Sequence, residues 1–285
     1  MNYSTISADS HIDLSWMPGN LWVENAPSKY LEGIPKIVEK DGNLGWVGGG
    51  KELGPVGTLG FGFRPVVKGW INRTDRMFDV GFYDGTAHPT NPDLRLKDMV
   101  MDGVDAEVIY GITGVGLLFE NPDLIRVTYE IYNSWVATFC ESYPGRWAPL
   151  ASIPCHDPQV AASELRRSAK LGLKGADFAA SKAVKPIWHR DWDVLWEASA
   201  ECRMPISFHV IGSFNREPDD AAMSSEYDLQ YLATQSSLLQ MGASEFLASI
   251  IFSGACDRYP EFKFVLGESG VTWLPHVLNR MDEQY

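Results

Sequence analysis

Ile6-Ser7-Ala8-Asp9-Ser10-His11-Ile12-Asp13 is the stretch that decides how this chain folds. It begins as a short strand and ends in an acid–x–His–x–acid run. Successive side chains of a strand point to opposite faces, so the pattern predicts Asp9, His11 and Asp13 on one side. If that side is the inside of a barrel, carboxylate and imidazole converge, which is a usual way to hold a divalent metal through O and N donors. The plainer alternative is a polar turn after an edge strand, with Asp9 and Ser10 as turn or cap residues.

Outward from that strand, order and irregularity alternate. Residues 14–92 read as an irregular inserted excursion, rich in Gly, Trp and Pro, as in Gly48-Gly49-Gly50 and Gly60-Phe61-Gly62-Phe63-Arg64-Pro65. A loop of that length inside a compact domain is functional or disordered. Its aromatics Trp16, Trp22, Trp46, Phe61, Phe63 and Trp70 argue for a folded cover over the barrel mouth. Arg64, Arg73 and Arg76 are placed to bind a substrate carboxylate there, surface ion pairing being the ordinary alternative. Arg64 and Trp16 are taken as the substrate-binding candidates.

From Asp93 onward, helical and strand patterns take turns. Leu94–Met101 has helical spacing stopped by Gly103, and Asp105–Gly111 reads as a buried strand. A helix from Pro122 to Tyr143 precedes a strand at Trp147–Pro154. Asp157 caps a helix with Pro158 in its first position, ending at Gly172. Strands follow at Leu173–Phe178 and Pro205–Gly212, the latter with His209 near its end. The span from Asp219 to about Leu247 is mostly helical, Ser249–Phe252 is strand or helix, and Phe262–Glu268 is the last strand before a terminal helix from Trp273. Trp188, Trp192 and Trp196 are read as core.

Alternating strands and helices imply a parallel sheet with right-handed crossovers. No Gly-x-Gly-x-x-Gly turn favours a doubly wound nucleotide-binding sheet, so the expectation is a single (β/α)8 barrel domain over residues 1–285. Barrel chemistry gathers at the C-terminal ends of strands, where Asp9, His11, His209 and Glu268 all fall.

Composition narrows the function classes. The 285-residue chain carries a formal net charge of −13, which opposes nucleic-acid or anionic-membrane partners. No apolar run is long enough to span a bilayer, and the N-terminus lacks the basic start and apolar core of a signal peptide. Cys140, Cys155, Cys202 and Cys256 form no C-x-x-C pair and read as buried free thiols, which suggests a reducing, cytoplasmic setting.

With these residues assembled, the chain resembles the amidohydrolase-related family that includes aminocarboxymuconate-semialdehyde decarboxylase and the γ-resorcylate-type decarboxylases. The resemblance rests on Ala8-Asp9-Ser10-His11, on Arg95-Leu96-Lys97-Asp98 with Asp102–Val108, and on Gly172-Leu173-Lys174-Gly175. It continues through Pro205–His209 and is most specific at Arg258-Tyr259-Pro260 with Phe264–Pro275. It implies a metal-dependent barrel, usually with zinc and sometimes manganese, whose ligands here are Asp9, His11 and His209, with Asp13 a weaker candidate. Glu268 stands where many members place an acid–base histidine and is taken as the catalytic residue. The family's fourth ligand, an Asp on strand eight, has no counterpart before Tyr285. Seven strands are counted here rather than eight, so the last strand is expected to be missing from this chain.

The resemblance implies a metal-dependent hydrolase acting through metal-activated water on a small, carboxylate-bearing cyclic or aromatic substrate. The alternative is non-oxidative decarboxylation of an aromatic or unsaturated acid. A third reading is a non-catalytic barrel that binds a partner subunit. A homodimer is the assembly the resemblance suggests.

Overall fold

Ile206-Ser207-Phe208-His209 shows how one short strand serves two faces. Ile206 and Phe208 are fully buried toward the surrounding helices, while Ser207 and His209 point into the sheet's concave side. The same alternation holds in Gly175–Phe178, where Ala176 and Phe178 face outward and Asp177 inward. Strands buried on both faces are the mark of a parallel sheet covered by helices.

The computed structural model describes residues 2–40, 42–56, 87–209, 230, 234 and 237–285. Its principal sheet contains β1 (Ile6–His11), β5 (Ala106–Tyr110), β6 (Trp147–Ile153), β7 (Gly175–Phe178), β8 (Ile206–His209) and β9 (Phe264–Gly267). All neighbours are parallel and the spatial order β1-β5-β6-β7-β8-β9 follows the chain, giving a half-barrel. Helices Pro92–Asp102, Pro122–Glu141, Pro158–Lys170, Asp193–Cys202 and Ala243–Phe252 lie between these strands in sequence, and Leu274–Asp282 follows the last. An aromatic layer joins sheet to helices: Phe178 meets Trp192 with ring centroids 5.0 Å apart, and Trp196 meets Phe262 at 5.0 Å.

Helix ends follow the chemistry of their caps. The Asp157 side chain accepts from the Gln159 and Val160 amides, and Asn91 and Asn121 cap the helices that follow them in the same way. Each of these helices has Pro in its first turn, where no amide donor is needed. Gly103 closes Pro92–Asp102 with φ 69°, a left-handed turn that costs glycine nothing.

Four expectations change. Ser249–Phe252 is helix, the end of Ala243–Phe252, so the sheet has six strands among the described residues rather than seven. Among the described residues β1 and β9 are the edges of the sheet, in keeping with a barrel that lacks its last strand. Residues 14–56 are not irregular. They hold an antiparallel meander of β2 (Lys36–Lys40), β3 (Asn43–Gly48) and β4 (Lys51–Pro55), preceded by the short helix Leu21–Asn25. Trp192 and Trp196 are core, but Trp188 is 54% exposed. Arg64, Arg73, Arg76, Phe61, Phe63 and Trp70 lie outside the described residues, as do residues 210–212 of the strand expected to run to Gly212 and 219–229 of the helical span.

Candidate metal centre

β1 does not run evenly beside β5. Ser7 pairs with Glu107 but Ser10 pairs with Ile109, so an extra residue bulges out at Ala8–Asp9. A bulge re-aims the side chains beside it, and here it sits where the acid–x–His pair begins. Polar contacts pin it. Ser10 Oγ bonds Ser7 Oγ at 2.8 Å and donates to Glu107 Oε1 at 3.0 Å. Arg95 Nε donates to Glu107 Oε2 at 2.7 Å, and its Nη1 donates to the carbonyls of His11 (3.1 Å) and Pro89 (3.2 Å). Arg95 is 7% exposed, so one buried guanidinium fixes the backbone of His11 to the helix behind it.

Asp9, His11 and His209 come together. Asp9 Oδ1 lies 3.3 Å from His11 Nε2 and 3.2 Å from His209 Nε2. One donor atom from each of the three lies within 4.8 Å of the others. Ligand bonds of about 2.1 Å at a tetrahedral angle place neighbouring donors roughly 3.4 Å apart, so these side chains are spaced to fit a first-row divalent cation. Asp13 stands apart from this trio. It occupies the turn before Leu14–Trp16, and its Oδ1 is 3.7 Å from His11 Nδ1, on the imidazole's other edge. From that position a carboxylate can orient an imidazole.

The charges are strongly coupled. Bonds from His11 and His209 hold the Asp9 carboxyl far below the usual carboxylate range. Burial works against the His11 imidazolium, yet the side-chain bonds to Asp13 and Asp9 outweigh it and lift the pKa to about 9. His209 is raised as well: burial opposes its charge, while Asp9 and the nearby Asp177 favour it. The cluster thus joins a carboxylate held ionised to two imidazoles whose protonated forms it favours.

Glu268 follows β9 with its Oε2 3.9 Å from His209 Nε2 and its side chain 47% exposed. Its φ of 53° is a left-handed conformation unusual for a side-chain-bearing residue. Just before it, Gly267 has no side chain for a reason visible in its surroundings. A Cβ there would meet Tyr110 Oη at 2.7 Å and His209 Cδ2 at 3.1 Å.

A cavity of about 280 Å3 opens beside the trio. His11, His209, Asp13 and Asp177 supply its polar wall, and Trp46, Leu53, Ile112, Val115 and Leu118 its apolar wall. Trp46 and Leu53 come from the meander. Trp16, expected to touch substrate, is instead buried and is not part of the wall. Its backbone carbonyl accepts from Thr90 at 2.7 Å.

Three contributors were given no role from sequence. Tyr110, at the end of β5, packs its ring 4.6 Å from His209 and 5.5 Å from His11, and its hydroxyl shares a 2.7 Å bond with Ser207. Asp177 is 4% exposed, and burial raises its pKa. Arg95 was visible only as part of a motif. The signal for Tyr110 and Asp177 was positional: both lie on parallel strands, at inward-facing places near the C-terminal rim. His156, His88 and His189 lie elsewhere; His88 bonds Asp98 at 2.7 Å and His189 caps Arg190–Trp192.

The half-barrel brings Asp9, His11 and His209 together at the ends of two of its strands, β1 and β8. The chain belongs to the amidohydrolase family Amidohydro_2, whose model matches residues 19–285. It is 27% identical to the γ-resorcylate decarboxylase of Polaromonas sp. (strain JS666 / ATCC BAA-500) over 231 residues, 78% of this chain and 65% of that protein. The fold is shared with an amidohydrolase from Mycobacterium avium subsp. paratuberculosis K-10 at TM-score 0.69 and 19% identity, covering 100% of this chain and 78% of that one. It is shared too with the 5-carboxyvanillate decarboxylase of Novosphingobium aromaticivorans DSM 12444, solved with bound manganese and 3-methoxy-4-hydroxy-5-nitrobenzoic acid. There the TM-score is 0.64 and the identity 18%, covering 99% of this chain and 70% of that one. The chain spans less than two thirds of the length of the curated relatives it matches.

Proposed function

We propose that this chain carries the metal-binding half of a divalent-metal-dependent decarboxylase acting on a single-ring aromatic acid. The observation that supports the reading best is the convergence of Asp9, His11 and His209, of which His11 and His209 line a cavity together with apolar side chains. Its volume of about 280 Å3 lies at the small end of ligand sites, which run from about 300 to 1,000 Å3, and suits one substituted ring. Hydrolysis was the first reading from sequence. Decarboxylation now ranks above it, because curated relatives of this chain are decarboxylases and the wall suits an aromatic ring.

Asp9, His11 and His209 would hold the cation, and Asp13 would keep His11 turned toward it. When bound, a divalent cation would supply the positive charge that fixes the substrate's carboxylate and an adjacent oxygen. Trp46 and Leu53 of the meander, with Ile112 and Val115, would give the ring an apolar surrounding that excludes water. The bond from ring carbon to carboxylate breaks with its electron pair left on the ring. That carbon takes one proton and carbon dioxide leaves. Glu268 is the side chain proposed to deliver the proton. Manganese is the first cation to supply, since the 5-carboxyvanillate decarboxylase structure holds it, and zinc the second.

The test is carbon dioxide release from a panel of hydroxybenzoates by the manganese-loaded protein, beside a panel of lactones and aryl esters. The reading expects release from at least one acid, abolished by chelator and lowered 100-fold or more by Glu268→Gln. Hydrolysis of lactones or esters with no carbon dioxide from any acid would contradict it.

A further inference from the structure

The mechanism above leaves Tyr110 without work, yet its ring touches both imidazoles of the centre. It ends β5 as the register partner of His11, and its carbonyl accepts from the Ile12 amide at 3.0 Å. Directly paired residues of neighbouring strands carry their side chains side by side on one face. The Tyr110 ring accordingly lies 5.5 Å from that of His11, with 23° between the planes. It also lies 4.6 Å from the ring of His209, at 63°. The two imidazoles are 5.3 Å apart, at 83°. The three rings, one each from β1, β5 and β8, therefore meet in every pairing at separations where aromatic pairs attract.

The Tyr110 ring is itself held. Its hydroxyl and that of Ser207 share a buried 2.7 Å bond, and Ser207 stands on the strand that carries His209. The hydroxyl also fills the space a side chain at position 267 would need. Tyr110 is 3% exposed, tied at one end to the strand of His11 and at the other to that of His209. With its hydroxyl engaged by Ser207, what it offers the imidazoles is its ring.

We propose that Tyr110 is a positioning residue of the metal centre. Its ring holds the imidazoles of His11 and His209 in the orientation that turns both Nε2 atoms to Asp9, so the ligands are arranged before a cation arrives. The inference rests on the reading that Asp9, His11 and His209 hold a divalent metal. An imidazole free to turn loses that freedom on binding a cation, and one already wedged against a ring has less to lose. Asp13 lies behind Nδ1 of His11, whereas the Tyr110 ring bears on both imidazoles.

The experiment is manganese titration of the chelator-treated protein, followed by isothermal calorimetry and by loss of the free-ion paramagnetic resonance signal. It compares wild type, Tyr110→Met, Tyr110→Phe and His11→Ala, with circular dichroism to show that each is folded. Methionine keeps an apolar body there without a flat ring, and phenylalanine keeps the ring without the hydroxyl. The expected result is one site in wild type, weakened about tenfold or more in Tyr110→Met, held within about threefold in Tyr110→Phe and abolished in His11→Ala. A smaller loss in Tyr110→Met, with His11→Ala abolishing binding, would overturn the inference and leave the three-ligand reading standing. A larger loss in Tyr110→Phe would also overturn it, by placing the effect on the hydroxyl. No manganese bound by wild type, or unchanged binding in His11→Ala, would overturn both. Wild type supplies a test that no folding defect can blunt. Nuclear Overhauser contacts from the Tyr110 ring protons to those of both imidazoles are expected in the metal-free and the zinc-loaded protein. Their loss on zinc loading would overturn the inference.

Discussion

Both imidazoles of the centre reach a single oxygen, Asp9 Oδ1, and this shared contact governs the metal-free protein. The pKa of His11 rises from 6.5 to about 9 on folding, so its contribution to stability is full below pH 6.5 and is lost as pH climbs through 9. Asp9 acts in the opposite sense. Its folded pKa is lowered, so its contribution is present above pH 3.8 and lost on acidification below that. The thermal midpoint of the chelator-treated protein should therefore fall between pH 6.5 and 9, and His11→Ala should flatten that slope. A midpoint independent of pH across this window would show that His11 gains no such partner. At this scale the sequence reveals residue types better than burial. Asp9, His11 and His209 are legible because acid and imidazole at strand ends have few other uses. Asp177 looks like any acid in a short strand, since nothing local in Gly175-Ala176-Asp177-Phe178 tells that an inward place there is sealed from water. Trp16 and Trp46 are likewise equivalent on paper, and only packing separates the buried one from the cavity wall.

Elements deliver these residues with differing legibility. Asp157-Pro158 and Gly103 mark helix ends by local chemistry that tertiary structure does not override. Ser249–Phe252 is an apolar run too short to show a period, which is why strand and helix could not be told apart there. The meander had a readable mark, Asp41-Gly42 between Lys36–Lys40 and Asn43–Gly48, a dipeptide that favours tight hairpins. Surrounding glycines and tryptophans hid it. The bulge in β1 is beyond sequence altogether, because it depends on Arg95 and Glu107 from two other elements. Arg95→Leu would leave Glu107, whose side chain is 12% exposed, without its countercharge. A loss of about 3–5 kcal/mol in urea unfolding is expected. Arg95→Lys should recover only part of it, since a single ammonium cannot match the guanidinium's contacts with Glu107, His11 and Pro89 together. Wild-type stability in Arg95→Leu would remove the network from the account.

For the whole molecule, parallel strands in chain order bring Asp9, His11 and His209 together, and Trp46 and Leu53 of the meander line the cavity beside them. The barrel class was legible because alternating strands and helices leave few topologies open. Its count of six described strands was not, because one apolar run changed type. A rim that gathers Asp9, His11 and His209 within 4.8 Å makes one central claim, that this centre holds a divalent cation. The most direct measurement is metal content by inductively coupled plasma mass spectrometry on protein purified without chelator, for wild type and for His11→Ala with His209→Ala. The account predicts about one manganese or zinc per chain, absent from the double variant. A wild type without metal that also takes up none when manganese or zinc is supplied would contradict it.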